Sequence, residues 1–228
     1  MLEVGCGTGV VARELARRVG PRGRVTGIDP SVVLIREARR LAKKNGLARR
    51  LSFEVMDGAA LEFPDGSFDT TLAVTVLLHV AEPGRVLREM VRVTRPGGLV
   101  GVQDQDFGSL VIDHPDRRLT RKILETYAMR IYNDPWSGRT MFGTLRRLGL
   151  QKVRAITGVY QDTTCEPFTR SLLERRVEMI HQWKVISTEA RDRWIRALDD
   201  QVRAGTFFMT LNFYGVVGMK PAAPSGRR

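Results

Sequence analysis

The sequence predicts an α/β protein built on a doubly wound, mostly parallel β-sheet. Within residues 1–105, short apolar segments typical of strands alternate five times with amphipathic segments typical of helices. The first apolar segment ends in three glycines at alternate positions, a turn that suits a strand-to-helix connection. Acidic residues follow other apolar segments at their carboxyl ends, which is the edge where such sheets bind ligands.

The first strand, turn and helix surround the glycines Gly5, Gly7 and Gly9. Glycine accepts positive φ and lets a ligand approach the backbone, and the helix N-terminus faces whatever the loop holds. A dinucleotide loop reads G-x-G-x-x-G, whereas this loop reads G-x-G-x-G and has Val10 where the third glycine would fall. Glu3 would repel a pyrophosphate and suits a ligand that carries an ammonium group.

The next two strand-like segments each end before an aspartate. Asp29 follows the second segment, 20 residues after Gly9, where α/β nucleotide folds place the acid that binds ribose hydroxyls. Ser31 is the better candidate to cap the helix that follows. Asp57 follows the third segment.

Two further segments complete the alternation. Residues 68–74 are apolar enough for a fully buried strand, as expected when helices cover both faces of a parallel sheet. A helix over residues 84–93, a turn at residues 95–98 and a strand over residues 99–103 follow. The glycine loop and both aspartates then lie at carboxyl ends of strands, and their convergence predicts a ligand site.

The stretch Leu2-Glu3-Val4-Gly5-Cys6-Gly7-Thr8-Gly9 resembles motif I of the class I S-adenosylmethionine-dependent methyltransferases. Later landmarks also match, so that the resemblance covers residues 1 to about 105. It is greatest to the branch with ubiquinone and menaquinone C-methyltransferases and many small-molecule O- and N-methyltransferases. The resemblance implies a Rossmann-like methyltransferase fold with seven strands and helical lid insertions. It also implies S-adenosyl-L-methionine as cofactor and S-adenosyl-L-homocysteine as product.

The family pattern implies which residues hold the cofactor. Asp29 matches the position that binds the ribose hydroxyls, and Asp57 matches the one that meets the adenine amino group. The expected cofactor-binding residues are Glu3, Gly5, Cys6, Gly7, Gly9, Asp29, Pro30, Asp57, Gly58, Ala59 and Val74. The catalytic residues remain unassigned, because methyl transfer from a sulfonium needs mainly close placement of the acceptor. An oxygen acceptor would benefit from a base, for which the candidates by placement are His79, Asp104, Asp106 and His114.

We expect one methyltransferase domain over residues 1–220. Its parts are a cofactor-binding half (1–105), a substrate half (106–220) with lid insertions near 113–133 and 168–205, and then a flexible tail (221–228). Strands near residues 153–160 and 207–219 are expected to close the sheet as its antiparallel edge, as in the family.

Composition narrows the classes of function. A hydrophobic content of 43% and a charged content of 27% are ordinary for a soluble globular protein. The longest apolar run, residues 72–81, falls short of the ~20 residues that a membrane span needs. The two cysteines give neither a metal-binding pattern nor a disulfide framework. We therefore expect a cytoplasmic protein without a metal site.

The net charge of +12 raises the question of a nucleic-acid partner. The excess of basic residues is 5 in residues 1–100 and 7 in residues 101–228, whereas nucleic-acid binders usually concentrate it. Residues 74–77 also lack the Asx-Pro-Pro-aromatic tetrapeptide of adenine-methylating DNA enzymes. We therefore favour a small-molecule acceptor methylated on oxygen, nitrogen or carbon. An RNA methyltransferase and a cofactor-binding protein without turnover remain the alternatives.

Members of the family normally carry some tens of residues before motif I, including a helix that helps to cover the cofactor. The present sequence begins within the first strand. We therefore expect either a homodimer, in which helices of one subunit cover the site of the other, or a longer natural protein.

Overall fold

The structure is a computed structural model that describes residues 1–222. Most of the predicted tail, residues 221–228, lies outside the described residues. The elements in chain order are β1 (Leu2–Val4), α1 (Val10–Arg18), β2 (Val25–Asp29), α2 (Val32–Lys44), β3 (Leu51–Val55), β4 (Phe68–Val74), α3 (Pro83–Val93), β5 (Thr94–Ile112), α4 (Arg117–Ile131), α5 (Ser137–Arg147), β6 (Gln151–Asp162), α6 (Pro167–Gln182), α7 (Thr188–Ala204) and β7 (Met209–Met219).

The seven strands form one sheet in the order β3-β2-β1-β4-β5-β7-β6. Strand β1 is parallel to both of its neighbours, with Val4 opposite Ile28 on one side and Ala73 on the other. The pairs β2–β3 and β4–β5 are also parallel. The predicted fold class is therefore confirmed. Because the chain order reverses on either side of β1, a ligand site is expected beyond the carboxyl ends of β1 and β4.

Lys220 joins the end of β7 to the beginning of β5 and to the end of α3. Its backbone exchanges hydrogen bonds with Gly97 and Gly98, at 3.0 and 2.9 Å. Its ammonium donates to the carbonyl oxygens of Val91, Arg92 and Thr94, at 2.8, 3.2 and 2.7 Å. One side chain thus satisfies carbonyls that the end of a helix leaves open.

The described chain divides into two compact units. The first consists of Met1–Asp104, Arg139–Ile156 and the segment from Gly215 onwards, and it contains β1–β4 with α1–α3. The second consists of Gln105–Gly138 and Thr157–Tyr214, and it contains α4, α6 and α7. The single domain over residues 1–220 and its division near residue 105 stay predictions.

Each unit has its own hydrophobic core. In the first, alanines on α1 and α2 allow these helices to approach β2 and β3 closely, and Phe53 is buried in the same cluster. Ser31 caps α2 as predicted, because its Oγ accepts the N–H of Leu34 at 3.3 Å. In the second unit Trp194 is 1% exposed, and its indole N–H donates to Thr120 Oγ1 at 2.8 Å.

Two local predictions differ from the structure. The predicted turn at residues 95–98 lies within β5 as an irregularity, since Phe68 pairs with Thr94 while Thr70 pairs with Leu99. Strand β4 is only half buried, because α3 packs against one of its faces and alternate residues keep partial exposure. Helix α4, within the expected insertion near residues 113–133, begins at Arg117, where the carboxylate of Asp116 caps it.

Among residues 1–222, every helix is too short or too polar to cross a lipid bilayer. The same residues contain no group of three or more His, Cys, Asp and Glu side chains arranged to hold a metal ion.

Candidate cofactor site

The glycine loop between β1 and α1 adopts left-handed backbone at all three of its glycines. The φ angles of Gly5, Gly7 and Gly9 are 69°, 53° and 73°. The N–H of Cys6 donates to the carbonyl oxygen of Ile28 at 2.8 Å, which ties the loop to β2. Gly9 is the N-cap of α1 and offers no side chain there, so the loop leads directly into a helix N-terminus.

The three glycines are needed for different reasons. A Cβ at Gly5 would lie 2.5 Å from Val76 Cγ2, and a Cβ at Gly9 would lie 2.7 Å from the ring of Phe53. These two positions are closed by the packing of the protein itself. A Cβ at Gly7 would meet nothing within 4 Å. Gly7 therefore faces open space in which a ligand could approach the backbone.

Asp29, the last residue of β2, holds the loop and the helix that follows it. The side chain is buried, and its Oδ2 accepts the N–H of Gly7 at 3.0 Å. Its Oδ1 accepts the N–H of Ser31 at 2.9 Å. Each carboxylate oxygen can accept more than one hydrogen bond, so both keep acceptor capacity. Pro30, the next residue, is exposed beside them.

Glu3, in the middle of β1, is a buried carboxylate with an unsatisfied oxygen. The residue is 2% exposed, and Oε2 has no hydrogen-bond partner among the described residues. Burial raises the pKa of Glu3 to about 7, which the N–H of Ala12 and the charge of Arg13 oppose and the charge of Asp29 reinforces. Such a group is costly in the free protein unless a cation or a donor joins it.

The residues after β3 and β4 complete the predicted set. Asp57 is exposed, and its Oδ1 accepts the N–H of Ala59 at 2.9 Å, which closes a turn. The turn requires Gly58, because a Cβ there would lie 2.6 Å from Val4 Cγ1. Val74 is the last residue of β4 and is partly exposed. All of these residues belong to the first unit.

Cys6 is buried, so only its backbone is available to a ligand at the predicted site. Its side chain belongs to the core formed by α1, α2 and the strands beside them, and burial raises the pKa of its thiol. A thiol held in this way is a small apolar group and not a reactive one.

Asp104 was a candidate base, and the structure shows what its carboxylate holds. The side chain is fully buried, and its oxygens accept the N–H groups of Val76 and Leu78 at 2.9 and 3.0 Å. Asp104 thereby positions the loop after β4. Within that loop Thr75 has a φ of 58°, which is uncommon for a β-branched residue. No sequence signal marks this contact, because it depends on the pairing of β4 with β5.

The other three candidate bases are His114, Asp106 and His79, and each has a different environment. His114 in the second unit is buried, accepts the N–H of Asp116 at Nδ1, and lies 3.1 Å from the carbonyl oxygen of Trp194 through Nε2. These partners assign the proton to Nε2, and burial lowers the pKa of this imidazole, so His114 is a neutral structural residue. Asp106 accepts the N–H of Gly108 at 3.0 Å. Burial lowers the pKa of His79.

The arrangement in the first unit fits a ligand with a cationic group and hydroxyl groups. Glu3 offers a buried acceptor without a partner, and Gly7 offers open backbone. Asp29 offers further acceptor capacity beside Gly7. A phosphate would meet two carboxylates here, so an anionic dinucleotide fits the site poorly.

Known proteins show related sequences and the same fold. A family profile described as "Methyltransferase domain" matches residues 1–98. An uncharacterized 37.1 kDa protein in transposon TN4556 of Streptomyces fradiae is 33% identical over 222 residues, which cover 95% of this chain and 61% of that protein. The 2-methyl-6-phytyl-1,4-hydroquinone methyltransferase of Synechocystis is 35% identical over 137 residues, which cover 60% of this chain and 40% of that enzyme.

The chain therefore spans less than two thirds of the length of these curated relatives. Among solved structures, the YcgJ protein of Bacillus subtilis superimposes with a TM-score of 0.65 and 17% identity, covering 97% of this chain and 92% of that one. The similarity to the YcgJ protein is a similarity of fold.

Proposed function

The chain belongs to the class I S-adenosylmethionine-dependent methyltransferases, and on that basis we propose that it methylates a small-molecule acceptor. The observation that carries the proposal is the buried, unpartnered Oε2 of Glu3, which is coupled electrostatically to Asp29, the acceptor of the Gly7 N–H. S-adenosylmethionine, when bound, supplies a methyl group that the positive charge on its sulfur has already activated. An acceptor of this kind agrees with the hydroquinone named for the Synechocystis relative.

Four of the predicted residues bind the cofactor directly in this proposal. Glu3, in its ionised form, accepts hydrogen bonds from the ammonium group of the cofactor. Asp29 binds the ribose hydroxyls while it holds the N–H of Gly7. Asp57, whose carboxylate is exposed and fixed by the N–H of Ala59, binds the adenine amino group. Gly7 lets the cofactor lie directly on the backbone, since no side chain occupies that space.

Catalysis in this proposal consists mainly of orientation. Holding an acceptor atom about 3–3.5 Å from the methyl group can lower the barrier by roughly 7–11 kcal/mol. The protein does not then need a nucleophile of its own. The choice among oxygen, nitrogen and carbon as the methylated atom stays open, as do the lid function of residues 113–133 and 168–205 and the homodimer.

A titration with S-adenosylhomocysteine tests the cofactor site. Because a charged hydrogen bond contributes roughly 1.5–3 kcal/mol, Asp29→Ala should weaken calorimetric binding about ten- to a hundredfold. Asp65→Ala is the matched control, since Asp65 is exposed and pairs with Arg92. Gly7→Val should abolish binding without unfolding the protein. Unchanged affinity in the Asp29 and Gly7 variants would show that the ligand lies elsewhere.

A second candidate, an RNA methyltransferase, is favoured by one observation. Helix α4 presents Arg117, Arg118, Arg121 and Lys122 around a surface depression of about 360 Å³. Filter binding of single-stranded RNA separates the candidates, with Arg118→Ala combined with Arg121→Ala as the test variant. RNA binding that is steeply salt-dependent and lost in this variant would favour an RNA methyltransferase.

A third candidate, a binding protein without turnover, would bind the cofactor but methylate no acceptor from a panel of quinols, phenols and amines.

A further inference from the structure

One arginine of the second unit is buried with part of its guanidinium unsatisfied. Arg176, on α6, is 4% exposed. Its Nη1 donates to the carbonyl oxygen of Leu172, one turn earlier, at 3.0 Å. Its Nη2 carries two N–H groups and has no hydrogen-bond partner among the described residues. A cation buried in this way is costly unless an acceptor of opposite charge joins it.

The acidic side chains of the same helix are engaged elsewhere. Glu174 forms an ion pair with Arg170 at 2.5 Å, and Glu178 forms one with Arg191 at 3.5 Å. Burial lowers the pKa of Arg176, and the hydroxyl groups of Tyr132 and Tyr127 oppose this shift. The two carboxylates of α6 are therefore engaged with other arginines.

Aromatic rings surround the guanidinium instead. Its central carbon lies 4.6 Å from the ring centre of Tyr127 and 5.2 Å from that of Phe107. Phe107 stacks on Tyr132 at 4.4 Å with an angle of 7° between the ring planes. These faces stabilise a cation and orient its planar fork. Phe107 and Tyr132 are only partly buried, so a solute can reach the edge of this aromatic cluster.

We propose that Arg176 is an anion-binding residue that receives the carboxylate or phosphate of a small organic ligand, whose flat apolar part lies against Phe107 and Tyr132. A guanidinium with an unoccupied nitrogen matches the geometry of such oxygen anions. The aromatic surface beside it favours a flat ligand over a free inorganic ion. Arg176 and the rings beside it belong to the second unit, and binding of this ligand does not depend on the proposed function.

The experiment is calorimetric titration of the full chain, without cofactor, in a buffer free of chloride. The probes are benzoate and phenyl phosphate, with benzamide as the neutral analogue of benzoate. We expect at least one of the two anions to bind tenfold or more tightly than benzamide. Arg176→Gln should remove this preference, and Arg175→Gln, the same change at an exposed position one residue away, should keep it.

Circular dichroism establishes whether Arg176→Gln is folded. Arg176→Lys is the second variant, and because an ammonium replaces the fork it should weaken the anion tenfold or more while leaving benzamide unchanged. Equal affinities of the anions and benzamide for the wild type, or a preference that survives both variants, would overturn the proposal. The S-adenosylhomocysteine titration is independent of this result, so failure of the anion subsite and failure of the methyltransferase site are distinguishable.

Discussion

The substitution Glu3→Gln should stabilise the free protein relative to the wild type, and this difference should grow as the pH rises. The ordinary pKa of a glutamate is 4.5, and in the folded protein burial raises the pKa of Glu3 to about 7. A carboxyl whose pKa is raised by folding contributes stability that is present below pH 4.5 and lost as the pH rises to 7. The wild type should therefore lose about 2–3 kcal/mol relative to the variant between pH 5 and pH 8, since one pKa unit corresponds to 1.36 kcal/mol.

Urea unfolding at pH 5, 6, 7 and 8 measures this difference, and thermal unfolding should show a relative change of about 4–12 °C for a chain of this size. Glu14→Gln is the matched control. Glu14 is half-exposed on α1, and its hydrogen bond to Arg18 lowers its pKa, so its effect should not change over this pH range. A Glu3→Gln difference that is the same at every pH would refute the reasoning.

The same substitution should have the opposite effect on ligand binding. Glutamine cannot supply the negative charge that an ammonium group requires, so we expect S-adenosylhomocysteine to bind about ten- to a hundredfold more weakly. Gain of stability together with loss of affinity would identify Glu3 as a residue retained for binding. A variant that loses both would instead indicate a structural role.

Three further predictions concern the same region. Below pH 7 the affinity of the wild type for S-adenosylhomocysteine should fall by up to about tenfold per pH unit, because Glu3 must release a proton, and calorimetry on Glu3→Gln should lack this slope. Gly5→Ala should lower the free energy of unfolding by about 1–3 kcal/mol, since its Cβ would lie 2.5 Å from Val76. Gly7→Ala should lower the free energy of unfolding by less, and it should weaken the binding of S-adenosylhomocysteine by more. Equal urea midpoints of the two variants would contradict this prediction. Asp104→Asn should cost about 1–3 kcal/mol in urea unfolding, because one of the two loop N–H groups loses its acceptor, and an unchanged midpoint would show that the loop is held otherwise.

The parts of this protein that were predictable from sequence are those set by local chemistry. Alternating glycines predicted a turn with positive φ, which Gly5, Gly7 and Gly9 adopt. Ser31 was predicted as a cap because its position before an apolar helix is typical of one, and its hydrogen bond to Leu34 confirms it. The alternation of strand and helix patterns, which is also a local signal, predicted the parallel half of the sheet. The roles of the expected cofactor residues stay predictions until a ligand is titrated.

What the sequence did not reveal depends on contacts between distant residues. The role of Asp104 follows from the pairing of Val74 with Gln103, which brings a carboxylate to a loop 26 and 28 residues earlier in the chain. Strand β5 continues to Ile112, past the predicted end, where Asp113 donates its N–H to Phe208. The burial of Arg176 was not predicted, because no sequence pattern distinguishes a buried arginine on a helix from a solvent-exposed one.

The anchoring of α3 by Lys220 has a consequence for how the chain folds during synthesis. Residues 1–104 include the glycine loop and are synthesised before the other two segments of their unit, which are Arg139–Ile156 and the segment from Gly215 onwards. Until Lys220 leaves the ribosome, the carbonyls of Val91, Arg92 and Thr94 lack the ammonium that they share in the finished protein. Until then the part of the unit made earlier has an open sheet edge, which exposes it to aggregation and to chaperones.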